Sequence, residues 1–233
     1  MSTLRDVLTI ARNELRVEMR SKEIVMTTTL FSLLMAVISS LAFYLDRVSA
    51  LGIAPGVLWL ALVFSGVLAM SRSWLREKEW QVIDALLLSP ISRSALYAGK
   101  SLAVCAMMAW NALVLAFFVS VLCHMSQFFA VNPARNIGFL SLFLATGIVG
   151  FVATGMLFAS MSVRARAREL TLSIILFPLC APALLSGVIA TRELFAGAPD
   201  LELWNWLRIL LAFDLVVIAA CPVLFDRLHS NPS

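Results

Sequence analysis

LGIAPGVLWLALVFSGVLAM (residues 51–70) runs directly into SRSWLREKEWQVIDALLLSPISRSALYAGK (residues 71–100). The first part is twenty residues without a charge, about what an α-helix needs to cross a ~30 Å hydrocarbon core. The second part is charged and amphipathic, and another long apolar run follows it. A chain that leaves lipid on one face and re-enters from that face is a polytopic membrane protein. Within lipid, each backbone N–H and C=O must be satisfied inside the protein, so apolar runs of this length are read as helices. The expected fold class is all-α.

Composition agrees along the whole chain. Of 233 residues, 61% are hydrophobic and 14% charged, against about 25% charged in an ordinary soluble domain, and the mean hydropathy is +0.93. Spans are expected at 24–45, 51–70, 96–124, 137–163, 170–190 and 207–225. This makes 1–233 one transmembrane domain, with no room for a separate soluble one. Six spans put both termini on one side. That side carries Arg5, Arg12, Arg16, Arg20 and Lys22, then Arg72, Arg76, Lys78, Arg93 and Lys100, then Arg164, Arg166 and Arg168, and finally Arg227. The other side has only Arg47, Arg135, Arg192 and Arg208. By the positive-inside rule both termini are cytoplasmic. The net charge of +4 therefore reflects topology and anionic membrane lipid. No basic patch with interleaved aromatics suggests nucleic acid. No cleavable signal peptide is expected, because Asp6, Glu14, Glu18 and Glu23 are mixed among the bases of residues 1–23.

Local patterns add detail. Leu4, Leu8, Ala11, Leu15 and Met19 recur at helical spacing, so residues 1–23 read as an amphipathic helix lying at the interface. Small residues at four-residue spacing (Ala61, Ser65, Ala69; Gly150, Thr154; Gly155, Ala159) predict close helix packing, and a dimer seam is one use of such a stripe. Pro178 and Pro182 each remove a backbone donor; they read either as a gate hinge or as a fixed bend. Trp204 and Trp206 suit the headgroup level before the last span. Asp214, in ILLAFDLVV, is a carboxylate inside a span and needs a partner or a cavity. Cys105, Cys123, Cys180 and Cys221 form no C-x-x-C pair and read as small packing residues.

Catalytic signatures are lacking. SALYAGKS (residues 94–101) approaches a phosphate-binding loop, but Ser94 stands where glycine is required and no strand precedes it. Lys100 is instead expected to snorkel to the headgroups. His124, near the outer end of the third span, is a haem-ligand candidate or a locally bonded interfacial histidine. No metal or cofactor site is expected in this chain, which does not read as an enzyme. The segment 71–100 has the most specific composition. Trp74, Leu75, Val82, Ile83, Leu86 and Leu87 oppose Arg76, Glu77, Lys78, Glu79 and Asp84, and Ser89–Pro90 ends the helical pattern before Arg93. It reads either as a short cytoplasmic coupling helix that docks on a motor or as an amphipathic loop lying on lipid.

Several long strings are shared with a known family. IAPGVLWLALVFSGVLAMSRSW (53–74), LREKEWQVIDALLLSPISRSALYAGK (75–100), FASMSVRARARELTLSIILFPLCAPALL (158–185) and LLAFDLVV (210–217) resemble the CcmB family, the membrane subunits of the cytochrome c maturation ABC transporter. Gln81–Val82, preceded by Trp80, departs from it, since the family often has glycine–threonine after the acidic run. The resemblance implies a six-span, non-catalytic permease of the bacterial inner membrane that pairs with itself. It implies ATP bound by a partner ATPase, CcmA, and work beside CcmC and CcmD. Haem would be the cargo, or hydrolysis would release haem-loaded CcmE. Motor contact is carried over onto Glu77, Glu79, Asp84, Leu86, Leu87, Pro90 and Arg93. The residues alone leave two other readings open: an ABC-2-type permease for a lipid, polysaccharide or drug, and an ATP-independent scaffold for haem-handling proteins.

Overall fold

The computed structural model describes residues 2–42, 47–79, 92–123, 132–162 and 168–230. Within them are seven helices and no strand: α1 Ser2–Ser21, α2 Glu23–Ala42, α3 Arg47–Glu79, α4 Arg93–Leu122, α5 Pro133–Ser162, α6 Arg168–Phe195 and α7 Asp200–Ser230. Among the described residues, five helical stretches are long and apolar enough to cross a membrane: Glu23–Ala42, Gly52–Arg76, Arg93–Leu122, Pro133–Met161 and Asp200–Arg227. The chain is a multi-pass, all-α membrane protein.

The helix boundaries have local causes. Lys22 takes a left-handed φ of 55°, which breaks α1 from α2 and makes an elbow. The Glu18 carboxylate accepts the Val25 N–H at 2.9 Å and so satisfies an orphan donor in the first turn of α2. Ser92 caps α4, its hydroxyl accepting the Ala95 N–H at 3.3 Å. Pro133 opens α5, where its missing N–H has no helical partner to lose. Gly197, at φ 80°, closes α6 with Gly197 N–H bonded to Leu194 C=O and Ala198 N–H to Glu193 C=O, the left-handed C-terminal motif.

Two boundaries differ from the sequence expectation, and the course of α6 bears on a third reading. α3 does not stop with the apolar run at Met70 but continues unbroken through Glu79. Its charged last turns are therefore part of the spanning rod, because nothing between Ser71 and Glu79 interrupts the i→i−4 ladder. α7 begins at Asp200 rather than Leu207, since Asp200 and Glu202 in its first turn favour the positive end of the helix dipole. Trp204 and Trp206 thus lie inside α7, with Trp204 edge-on to Phe139 at 5.7 Å. α6 stays helical through Pro178 and Pro182, and both prolines lie on its exposed side.

α5 is the centre of the bundle and packs on α3, α4, α6 and α7. Phe143, Val152 and Met156 on it are wholly buried. The small residues of α3 and α5 face inward as their spacing suggests: Ala61, Ser65, Ala69, Thr154 and Ala159 are all buried. Outward faces are apolar, for example Leu30, Leu34 and Ile38 on α2 and Leu215, Val216 and Ile218 on α7. Such faces suit lipid tails, which are as apolar as leucine itself.

Candidate functional site

The densest polar construction joins α1 to the ends of α3 and α4 that flank the charged segment. Glu14 and Glu18 are one turn apart on α1, on the side that meets the bundle. Glu14 accepts from Lys100 Nζ of α4 at 2.9 Å, and Glu18 from Arg76 Nη2 of α3 at 2.6 Å. Glu23, at the start of α2, pairs with Arg72 at 2.8 Å in a more exposed position. Lys100 is 0% exposed and also lies over the Trp74 ring, 5.0 Å from its centroid. A buried ammonium of this kind is held by its carboxylate and by the ring quadrupole together.

Snorkelling of Lys100 is therefore corrected: α1 lies across the place where the lysine would reach for headgroups. Gly99 allows that approach. A Cβ at Gly99 would lie 2.7 Å from Ile10 Cβ and 2.9 Å from the Val7 carbonyl oxygen, so α1 touches the α4 backbone there. The consecutive Gly99 and Lys100 act as one docking device, the first for shape and the second for charge. Gly99→Leu is expected to cost about 1–3 kcal/mol by overpacking, and to lift α1 because a backbone atom cannot swing aside. Faster tryptic cutting at Arg12 and Arg16 would report the release; an unchanged cutting rate would argue against this docking.

Below this layer the bundle is joined by isolated buried polar contacts. Ser32 Oγ of α2 donates to Asn111 Oδ1 of α4 at 2.8 Å, and Asn111 Nδ2 donates to Ser65 Oγ of α3 at 2.9 Å. Trp59 Nε1 of α3 donates to Thr191 Oγ1 of α6 at 3.0 Å. The Trp59 ring rests on Gly147 of α5 and Gly187 of α6, where any Cβ would collide with it. Tyr97 donates to the Ala153 carbonyl, and its ring meets Phe225 at 5.2 Å. At the opposite end, Arg135 Nε bonds Asp200 at 2.6 Å and its Nη2 the Ala198 carbonyl at 2.5 Å, tying α5 to the turn before α7.

Asp214 points into the bundle, as a carboxylate within a span should. It is 5% exposed, and its Oδ1 lies against Gly150 of α5, in the space a Cβ would fill. That oxygen has no hydrogen-bond partner among the described residues. Pro178 and Pro182 are not brought near it; they face outward on α6. Arg93 is the first residue of α4 and is half-buried. Glu77 and Glu79 fall in the last turn of α3. Their side chains, together with Asp84, Leu86, Leu87, Pro90 and His124, lie outside the described residues. Among the described residues no cluster of three or more His, Cys, Asp or Glu is placed to hold a metal, and all four cysteines are unbridged.

Sequence reasoning missed the Glu14–Lys100 and Glu18–Arg76 pairs. A signal existed: two acids at four-residue spacing on a basic amphipathic helix, and basic residues at both edges of the charged segment. Asn111 and Trp59 were missed as well, although an amide deep in an apolar run needs a partner.

Residues 5–227 match the family model described as "CcmB protein". The chain is 25% identical over 190 residues to heme exporter protein B of Bradyrhizobium diazoefficiens, covering 81% of this chain and 82% of that protein. It is 29% identical over 170 residues to heme exporter protein B of Paracoccus denitrificans, covering 73% of each. A match over nearly the whole length, on an all-helical bundle of membrane-spanning segments, places the chain in the CcmB family of non-catalytic transporter membrane subunits.

Proposed function

We propose that this protein is the permease subunit of a haem-exporting ABC transporter serving cytochrome c maturation. In this reading six helices, α2 to α7, span the bacterial inner membrane with both termini cytoplasmic, and α1 lies along the cytoplasmic interface. Two copies pair, and each takes one copy of the ATPase CcmA, with CcmC and CcmD alongside. Hydrolysis in CcmA drives haem export or the release of haem-loaded CcmE. The observation that carries the coupling is the continuity of α3: one rod joins the apolar span to the acidic turn at Glu77 and Glu79. A push on Glu77, Glu79, Asp84, Leu86, Leu87, Pro90 or Arg93 is delivered to α3 and α4, which α1 clamps through Arg76 and Lys100. The motor must bind the two permease states with different affinity for this to work.

Joint charge reversal of Glu77, Glu79 and Asp84 to lysine tests the proposal. Loss of the co-purifying ATPase is expected, and retention of the ATPase at the wild-type ratio refutes the coupling site. Asp214 is proposed as a gating element, because its carboxylate lies where α7 meets α5. In the same assay Asp214→Asn should keep the ATPase yet lower cytochrome c maturation; full maturation removes the gating role.

A further inference from the structure

Outside the clamp, α1, α4 and α5 enclose a trough of about 720 Å³, within the ~300–1,000 Å³ range of small-ligand sites. Its floor is made by small side chains, Ala106 and Ala109 of α4 and Ala145 of α5. It follows α4 from Leu102 to Ala109, about 10 Å of helix at 1.5 Å per residue. Arg12 and Arg16, one turn apart on α1, border it with their aliphatic stems, and its walls are almost wholly apolar. No acid lines it. Of the three acids of α1, Glu14 and Glu18 are committed to Lys100 and Arg76, Asp6 lies six residues before Arg12, and both arginines are exposed.

We infer that this trough binds one anionic phospholipid, its phosphate on Arg12 and Arg16 and an acyl chain along Ala106, Ala109 and Ala145. The charge pattern favours an anion at the rim, and the apolar walls favour a hydrocarbon tail below it. A zwitterionic lipid would fill the same walls but neutralise its own phosphate. The bound lipid would wedge α1 against α4 beside the clamp. The clamp pulls α1 onto the bundle on one side, and the lipid supports it on the other.

The test is native mass spectrometry of the full chain in mild detergent, titrated with phosphatidylglycerol and phosphatidylcholine of identical acyl chains. A single phosphatidylglycerol adduct is expected to bind roughly thirtyfold tighter than the phosphatidylcholine one, given about 1 kcal/mol for each of the two basic residues at a membrane surface. Arg12→Gln with Arg16→Gln should abolish that preference, while Arg5→Gln with Arg20→Gln, on the same helix but off the trough, should leave it. Ala109→Phe should weaken both adducts by filling the floor. Equal affinity for the two lipids in the wild type overturns the inference, and so does a preference that survives loss of Arg12 and Arg16. Arg12 and Arg16 are exposed, so their variants should fold, which keeps the test decisive if Ala109→Phe does not.

Discussion

Glu18→Ala is expected to be the most damaging single substitution at the elbow, costing about 3–5 kcal/mol, the range for breaking one side of a buried ion pair. Glu18 is 2% exposed and serves two elements at once. One carboxylate oxygen holds Arg76 of α3 at 2.6 Å, and the other accepts the Val25 N–H of α2 at 2.9 Å. Alanine leaves a buried guanidinium without its counter-charge and an amide without an acceptor. Both losses fall at the joint between α1, α2 and α3. Equilibrium unfolding in mixed micelles would measure the cost. Glu18→Ala combined with Arg76→Met should recover much of it, since the uncompensated charge is then gone. A double variant no better than the single one would show that packing, not charge, holds the elbow.

Trp59→Ala should be of comparable size, about 3–5 kcal/mol for truncating a large buried aromatic side chain. Trp59 of α3 is 3% exposed, and α5 and α6 both offer a glycine to its ring. Neither backbone can close the resulting void, because the glycines have no side chain to swing into it. Trp59→Phe separates shape from hydrogen bonding. It keeps much of the ring and removes only the bond that Thr191 Oγ1 accepts, since that hydroxyl still donates to the Gly187 carbonyl at 2.8 Å, so a loss of about 0.5–1.5 kcal/mol is expected. Thermal unfolding followed by circular dichroism would rank the three proteins. A Trp59→Ala melting point within a degree or two of wild type would mean that α6 is not seated through this residue.

The clamp also bears on coupling. Arg76 and Lys100 lie at the two edges of the charged segment, in α3 and α4, and both are tied to α1. In the proposed mechanism a motor acting between them works against a fixed frame, so displacement is passed to the spans and not lost in the hinge at Lys22. The Glu18→Ala variant should therefore keep its ATPase and uncouple maturation from hydrolysis.

Most of the fold is legible in the sequence. Apolar runs long enough to span are unambiguous because lipid offers no hydrogen-bond partner to a backbone, and each run becomes a helix wherever it sits. The inward face of α3 was legible too, since Ala61, Ser65 and Ala69 repeat at the spacing of one helix face. The end of α3 was not. Charge density suggests a boundary, but Arg, Glu and Lys are good helix formers and a helix can outrun the lipid. Lys100 was misplaced for a related reason: a lysine at a span end snorkels only if nothing covers it, and α1 covers it.

By itself, the sequence determined that this chain crosses a membrane repeatedly as helices, that its charged break follows the second apolar run, and that its strings belong to the CcmB family. Only the tertiary structure decided which polar groups meet. Glu14 and Lys100 are 86 residues apart, and Glu18 and Arg76 are 58 apart. No local spacing links such pairs. They are set by how each helix is rotated about its axis and by where a glycine lets two backbones touch, and those are properties of the packed bundle.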